Sequence, residues 1–543
     1  MTSAEAAEIA RNALKTGGEE LPLNMRPCQI DITNEDIAAL EISKAVNSHI
    51  PGLYVRSGDV SQVHEIDDGE GPRLTIRPVD ADGLRMLLAQ HVYCYRKKPV
   101  KGKQGESDKT VEVSTLPGVS TTRAVLTQTT WPGLPHLAGV ISMPIIRPDG
   151  TILAEAGYDA ATRLYYRPAL SIGRIPDRPT GVQVAEARMY IFDYVLTDFC
   201  WDTPASKANF FGMLMTPIMR RFIDGLPPFG LISAATRGSG KSLLTEIMKA
   251  AYGVRTTPWV RKEEEFKKTI TSIFQDSSEP VVCFDNVEPF DTISHGSLSM
   301  LLTQKAWSER ILGASNLFTA LNDRFWCATG NNIAVGGDVA SRSVLTRLDP
   351  RMERPEERDG FAIADMWSWL EKETNRVELL RSLLILARAW IADGAEVDTT
   401  VRMRNFTAWG QAMGGLASYH GLPQFLANAE ELATGSDDEE TSTAAFVLKW
   451  YSKFGSDPQR STQLVDSARV DNFGGTWVDP WDGTFPSTYK DGKNIPFSAK
   501  GLGKFLAARR DRIFSGFVLV GVLDKTTKVW SYKVIPHDPE NQP

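Results

Sequence analysis

The sequence predicts an α/β protein with an N-terminal α+β domain and a C-terminal winged-helix-like domain. A buried strand, a glycine-rich loop and a helix follow one another over residues 229–252. Two more apolar runs end at Asn286 and Asn331, and a basic helix with two strands follows residue 500. The predicted segments are 1–190 (α+β), 191–375 (core), 376–432 (helical extension) and 443–543 (winged-helix-like), with the acidic stretch 432–442 as a boundary or mobile loop.

Composition limits the classes of protein that fit. With 543 residues, 42% of them hydrophobic, the chain suits about three or four packed domains. Leu379–Ala392 is interrupted by Arg381 and Arg388, so it is no membrane span, and the acidic start lacks a signal-peptide pattern, which predicts a cytoplasmic location. A net charge of −7 argues against general coating of nucleic acid. Cys283 and Cys327 interrupt apolar runs and are expected to be buried rather than redox-active or zinc-bound.

The glycine-rich loop has the composition of a phosphate-binding loop. Residues 235–242, ATRGSGKS, match G-x-x-x-x-G-K-[ST] except for Ala235 at the first position. Such a loop aims backbone N–H groups and a helix N-terminus at phosphates, while its Lys adds charge and its Ser binds Mg²⁺. This predicts an ATP and Mg²⁺ site, the alternative being an ordinary turn. Its residues are Gly238, Ser239, Gly240, Lys241, Ser242 and Leu243.

The run Pro280–Asn286 supplies the acid that such a site needs. Asp285 ends the apolar stretch and is predicted to hold Mg²⁺ together with Ser242, as a Walker B acid does. Four buried residues followed by an acid also occur by chance. Asn286 stands where many ATPases have a catalytic Glu, and Glu288 is either a substitute or a capping or solvent-facing residue.

Polar and basic residues after the third run suit hydrolysis. Asn331 fits the sensor of AAA+-type ATPases, because a neutral amide can hydrogen-bond the γ-phosphate and the attacking water; the alternative is a left-handed turn. Arg342, with Arg347 as second choice, is where a ring-forming ATPase projects an arginine finger into its neighbour. A salt-bridged surface arginine is the other interpretation.

These motifs resemble a known family. Gly238–Ser242, Phe284–Asn286 and Thr329–Asn331 resemble the A, B and C motifs of superfamily 3 helicases, the hexameric replicative helicases of viruses, phages and plasmids. More closely, the chain resembles the ATPase portion of phage and mobile-element primase-helicase proteins over roughly residues 190 to 430. The matching stretches are Glu263–Lys268, Trp307–Gly313, Ala328–Asn332, Arg347–Pro350, Phe406–Gly415 and Gly421–Asn428.

The resemblance implies an AAA+ (superfamily 3-like) ATPase core and an ATP- and Mg²⁺-dependent DNA helicase. It also implies a homo-oligomeric ring, hexameric in that family, which acts on single-stranded or forked DNA with replication partners and without a membrane. A family β-hairpin that grips DNA would correspond to Arg310–Asn322, with its tip at Ala314–Asn316. The usual basic tip is absent, so DNA contact there would fall to Arg310, Ser315 or Asn316.

Two flanking segments are candidates for DNA contact. The run Arg96–Lys103 beside Tyr93 and Tyr95 could follow phosphates or be a solvated loop. Lys500–Arg512 is predicted to be an amphipathic helix with Leu502, Phe505 and Leu506 inward. Its outward residues, the candidate DNA contacts, are Lys504, Arg509, Arg510 and Arg512. A helix with only a solvated charged face is the alternative.

Other N-terminal patterns predict short strands at Leu53–Arg56, Arg73–Arg77 and Val111–Ser114, and a helix over Asp82–Tyr95. Asp80 and Asp82 have the spacing of a primase metal pair, but Asp is also a common helix cap. The sequence therefore favours a helicase; an ATP-switched DNA-binding initiator or loader without unwinding activity, and an ATP-dependent protein scaffold, are the alternatives.

Overall fold

The computed structural model describes residues 28–67, 72–100, 109–236, 238–276, 278–288, 292–310, 317–352, 354–468, 471–473, 476–490, 493–514, 516–524 and 529–537. The chain forms two compact units. The first runs to Ile333 and resumes over Arg342–Asn428, and the second consists of Ala334–Ser341 and the chain from Ala429 onward. None of the described helices is long and apolar enough to cross a membrane.

A five-stranded parallel sheet lies at the centre of the first unit. Its strands are β1 (Phe229–Ala234), β2 (Val254–Pro258), β3 (Val281–Val287), β4 (Phe325–Asn331) and β5 (Ser343–Leu348), in the spatial order β2-β3-β4-β1-β5. Every pairing is parallel, so all five carboxyl ends lie at one edge of the sheet. The predicted α/β class is confirmed. β4 lies between β1 and β3.

Helices cover the sheet, which is why its middle strands are apolar on both faces. Every residue of β1 is buried. Cys283 and Cys327 are buried opposite each other on β3 and β4, so the prediction that they are core residues is confirmed. The helices that belong to this core are α1 (Lys241–Tyr252), Pro204–Met219, Glu373–Ala392 and Thr407–Tyr419.

The N-terminal part of the first unit is α+β, with small sheets and short helices. One sheet contains Leu53–Arg56, Asp59–Asp67 and Pro72–Pro78, and another contains Gln29–Asp31, Tyr93–Val100 and Lys109–Ser114. The helices are Glu35–Ser48, Ala81–His91 and Val119–Leu126. Short strands follow at Gly139–Ile141, Ile145–Ile146, Ile152–Leu153, Gly157–Asp159 and Leu164–Tyr166.

The helix predicted over Asp82–Tyr95 is wrong at its C-terminal end, because it stops at His91. The Tyr93 N–H donates to Cys28 O at 2.9 Å, which starts the parallel pairing with Gln29–Asp31 and carries Cys94 into the core. Tyr93, Tyr95 and the start of the basic run therefore lie on a strand. Lys101 and Lys103 lie outside the described residues.

The remaining elements of the first unit surround the sheet. They are Gly181–Arg188, a π-helix over Met189–Val195, Glu263–Asp276, Thr292–Ile293, Gly296–Thr303, Ala306–Arg310, Leu317–Leu321, Pro355–Glu357, Met366–Glu371 and Arg404–Phe406. Asp80 accepts from the Gly83 N–H at 2.7 Å, so its role as the N-cap of helix Ala81–His91 is confirmed.

The second unit has its own core. Its helices are Gly337–Ala340, Ala429–Phe454, Ser461–Ser467 and Ala499–Ala508, and its strands are Ala334–Val335, Asp471–Phe473, Thr476–Val478, Ser487–Lys490, Lys493–Pro496, Ile513–Phe514, Phe517–Leu523 and Trp530–Pro536. The last three strands form an antiparallel sheet after helix Ala499–Ala508. Leu502 and Leu506 are fully buried, and Phe505 packs against the same core, as predicted.

Two predictions for this region are wrong. The stretch 432–442 lies within helix Ala429–Phe454 and is not a loop; buried Phe446, Val447 and Trp450 anchor that helix, and its backbone continues upstream. The helix predicted over Lys500–Arg512 ends at Ala508, because the Asp511 N–H donates to Leu519 O at 2.7 Å and draws the following residues into the sheet.

Candidate nucleotide site

The phosphate loop joins β1 to α1 in the predicted order of strand, loop and helix. Gly238 and Gly240 have φ of +74° and +94°, a left-handed region that glycine adopts without strain. Gly240 is the N-cap of α1, which begins at Lys241, and Gly253 with φ of +81° ends it. The loop backbone therefore turns sharply and presents the N-terminus of a 12-residue helix to solvent.

The other loop residues fit the same arrangement. The Ala235 N–H donates to Leu348 O at 3.2 Å, and its side chain is exposed, so a methyl group is accommodated at the strand exit. Ser239 is buried and donates to Thr236 O at 2.6 Å, which closes the turn. Ser242 is exposed in the first turn of α1, and Leu243 packs against the core.

Lys241 and Asn331 meet although they lie on different elements. Lys241 Nζ donates to Asn331 Oδ1 at 2.6 Å. The contact follows from the register, because Ala234 at the end of β1 pairs with Asn331 at the end of β4. The next residue, Asn332, has a φ of +46°, and its N–H donates to Ala234 O at 3.0 Å. A left-handed turn and a side chain aimed at the loop therefore both occur here.

Asp285 is held by a residue that the motif analysis did not select. The Thr329 hydroxyl donates to Asp285 Oδ1 and accepts from the Asn286 N–H at 3.0 Å. A register shift between Phe284 and Val287 bends β3 here, and Asn286 has a φ of +56° with an exposed side chain. Thr329 is 2% exposed, so its bridge fixes the acid from below. Because Thr329 and Asn331 share one face of β4, the period of two along a strand was the signal that could have found it.

Two glutamates lie near this edge of the sheet. Glu288 forms an exposed ion pair with Arg261. Glu356, on the short helix Pro355–Glu357, lies against the loop: a Cβ placed on Gly238 would come within 3.2 Å of its Oε2. Sequence reasoning missed Glu356, since no motif links it to the loop.

The two finger candidates lie at opposite ends of β5. The Phe229 N–H donates to Arg342 O at 2.8 Å, and Arg342 Nη1 donates to Ser299 O at 3.0 Å. Arg342 is therefore at the amino-terminal end of the sheet, roughly 15–20 Å along the strand from its own phosphate loop. Arg347 pairs with Ser233 near the carboxyl end and shares the edge that carries the loop. The geometry separates Arg342 from the other site residues of its own chain.

The hairpin predicted between the second and third motifs is present. Ala306–Arg310 pairs antiparallel with Leu317–Leu321, and Arg310 pairs with Leu317. Arg310 is exposed at the end of its strand. The predicted tip, including Ser315 and Asn316, lies outside the described residues.

In the second unit the predicted DNA-contacting arginines do not lie on a helix. Lys504 is exposed on helix Ala499–Ala508, but Arg509, Arg510 and Arg512, the C-terminal arginine cluster, follow its last residue. Each packs on an aromatic ring. The Arg509 guanidinium group lies 3.8 Å from the ring centre of Phe505, that of Arg510 lies 4.9 Å from the ring centre of Trp530, and that of Arg512 lies 5.4 Å from the ring centre of Phe514. These cation–π contacts restrain the three guanidinium groups, which lie close together along the chain.

Comparison with known proteins adds a few remote likenesses. No protein-family model and no curated protein matches the chain. One similar solved structure is the NrS-1 C-terminal region, which is 11% identical, covers 66% of this chain and 75% of its own, and has a TM-score of 0.30. Another is SCCmec type IV Cch, described as an active helicase, which is 8% identical, covers 90% of this chain and 98% of its own, and has a TM-score of 0.28. A third is JCV helicase with a bound small molecule, which is 14% identical, covers 47% of this chain and 73% of its own, and has a TM-score of 0.20. At these TM-scores, the fold and the site rest on the chain's own strand order and contacts.

Proposed function

We propose that the chain is an ATP- and Mg²⁺-dependent DNA helicase with an AAA+ (superfamily 3-like) core. The observation that carries the proposal is the hydrogen bond from Lys241 to Asn331, because it brings the first and third motifs together at the sheet edge where Asp285 also lies. An ordinary glycine turn would require none of these partners. The strand order, with β4 between β1 and β3, supports the same core.

The residues at this edge fit a bound Mg²⁺–ATP. The loop N–H groups, the α1 N-terminus and Lys241 would hold the phosphates, and Ser242 and Asp285 would hold the metal ion. Bound Mg²⁺ would neutralise charge that develops on the phosphate oxygens. Lys241 would exchange its bond to Asn331 for phosphate oxygens, which would release the amide to orient the attacking water.

Coupling to DNA would use parts outside the nucleotide site. The hairpin Ala306–Leu321 and the C-terminal arginine cluster supply surfaces for phosphate contact. Arg342, at the amino-terminal end of the sheet, would serve the pocket of a neighbouring subunit in a ring, hexameric as in the family the sequence resembles. Replication of a phage or mobile element is the process that this resemblance suggests.

One observation favours a second candidate, an ATP-switched DNA-binding initiator or loader without unwinding activity. Asn286 occupies the position beside Asp285 where many ATPases have a glutamate, and an amide cannot accept a proton from water at neutral pH. Glu288 is paired with Arg261. Hydrolysis would then be slow, and nucleotide binding itself would be the signal.

Strand displacement separates the two functions. We expect the protein to separate a forked DNA duplex with ATP and Mg²⁺ but not with a non-hydrolysable analogue. Salt-sensitive DNA binding that depends on ATP, without any displaced strand, would instead identify the initiator or loader. ATP turnover without DNA binding at low salt would exclude both, and would favour a scaffold.

A further inference from the structure

A cavity lies in the first unit, at the end of the sheet opposite the candidate phosphate loop. It has a volume of about 70 Å³. Pro280, which precedes β3, and Arg324, which precedes β4, form part of its wall, together with residues of strands Pro72–Pro78 and Gly139–Ile141. Leu321, the last residue of the hairpin, also lines it. The cavity thus lies where the α+β region, the hairpin and the sheet meet.

Positive charge exceeds negative charge in this cavity. Four arginines line it, against the two carboxylates of Asp323 and Glu279; the arginines are Arg56, Arg220, Arg221 and Arg324. Arg221 Nη2 lies 3.3 Å from Asp323 Oδ2. Asp323 is also a charge neighbour of the other three arginines, while Glu279 is a second charge neighbour of Arg324 and Asp224 is one of Arg220. Three carboxylates therefore face four guanidinium groups.

These guanidinium groups are poorly hydrated. Arg324 is 7% exposed; it donates to Ile273 O at 3.0 Å and lies over the Phe274 ring at 4.9 Å. Arg220 donates to Gly225 O at 2.8 Å and Asn322 O at 3.3 Å, but its Nε is buried and has no hydrogen-bond partner among the described residues. Burial lowers the pKa of Arg56, Arg220 and Arg324, although Asp323 opposes that effect. Arginine keeps its charge in proteins, so the cost of burial calls for a counter-ion.

We propose that this cavity binds one phosphate-sized tetrahedral oxyanion, held by Arg220 and Arg56 with Arg324 behind them. The planar fork of a guanidinium group matches phosphate oxygens in pairs. A cavity needs roughly 10–15 Å³ to hold one water molecule, so about 70 Å³ leaves room for a group of about five heavy atoms. The ligand is either free phosphate or a phosphate of a nucleic-acid strand.

The test must remove the phosphate loop as a competing anion site. Inorganic phosphate is titrated into the full chain carrying Lys241→Ala, at constant ionic strength set with chloride, and binding is followed by calorimetry and by the thermal midpoint. We expect one saturable site in Lys241→Ala protein. Adding Arg56→Gln should weaken phosphate binding at least about tenfold, because it removes one of the two charged groups proposed to contact the anion. Arg123→Gln, which changes an exposed arginine of helix Val119–Leu126 outside the cavity, should leave it unchanged.

The outcomes are separable. Equal phosphate affinity in the Arg56→Gln and Arg123→Gln proteins, or no saturable binding in the parent, would overturn the proposal. Arg56 is used first because it makes fewer structural contacts than Arg220; Arg220→Lys, which keeps the charge but loses the fork, should also weaken binding. If an oligothymidylate displaces the phosphate, the natural ligand is a nucleic-acid phosphate, and if it does not, the ligand is a free anion. The site can fail without affecting the proposed motor, since ATP turnover by the Arg56→Gln protein with Lys241 intact is measured separately.

Discussion

Replacing Thr329 by valine tests whether the β3–β4 bridge organises Asp285, the acid proposed to hold Mg²⁺. Thr329 is 2% exposed, and its hydroxyl both donates to Asp285 and accepts from the Asn286 N–H at 3.0 Å. Valine has nearly the same shape and can do neither. A lost hydrogen bond to a charged group costs about 1.5–3 kcal/mol. Because Asp285 is only half-buried and water can replace part of the bond, we expect the free energy of unfolding to fall by about 1–3 kcal/mol.

The same change should affect the Mg²⁺ dependence of ATP turnover more strongly than it affects stability. Removing a residue that orients a metal ligand commonly costs 10–100-fold in metal affinity or activity, so the Mg²⁺ concentration needed for half-maximal ATP turnover should rise by about that factor. Thr346→Val is the matched control, since Thr346 is buried on β5 and donates to Ser206 O at 3.2 Å away from the acid. Thr329→Ser keeps the hydroxyl and should retain Mg²⁺ affinity. If Thr329→Val and Thr346→Val give the same Mg²⁺ titration, the bridge has no role in the site.

Three further predictions concern other parts of the molecule. Arg342→Ala protein should bind ATP but hydrolyse it about 10³-fold more slowly, and mixing it with Lys241→Ala protein should restore turnover. If only Arg347→Ala protein is rescued in this way, Arg347 is the arginine finger. Reversing the charges of the C-terminal arginine cluster should weaken DNA binding and flatten its salt dependence by about 0.7–0.9 per lost phosphate contact, and an unchanged slope would mean that the cluster does not touch DNA. Burial lowers the pKa of His420 from 6.5 to about 4, so stability should be fully present above pH 6.5 and fall by about 3 kcal/mol by pH 4. His420→Gln should remove this component, which urea unfolding at a series of pH values would measure.

Local patterns were enough to predict the elements of the nucleotide site. A buried strand followed by Gly238 and Gly240 specifies its turn within a few residues, and apolar runs ending at Asp285 and Asn331 place polar groups at strand ends. The bond from Lys241 to Asn331 depends on which strands are neighbours, and sequence spacing does not determine that order.

Contacts between distant residues explain what sequence patterns could not predict. The charge pattern of residues 500–512 fits a helix as far as Arg512, but pairing of Asp511 with Leu519 ends it at Ala508. Thr329 reads as an ordinary strand residue until the register of β3 with β4 places Asp285 beside it. The arginine-lined cavity collects residues from positions 56 to 324, which no local window contains.

The most direct test of the central claim is nucleotide binding by the phosphate loop. A fluorescent ATP analogue is titrated into the wild-type protein, into Lys241→Ala, and into Lys249→Ala, which changes an exposed lysine of the same helix that pairs with Glu246. We expect the wild type and Lys249→Ala to bind with equal affinity and in a Mg²⁺-dependent manner. Lys241→Ala should remain folded by circular dichroism and lose binding. Undiminished binding by folded Lys241→Ala protein would contradict the assignment of residues 235–242 as the nucleotide site.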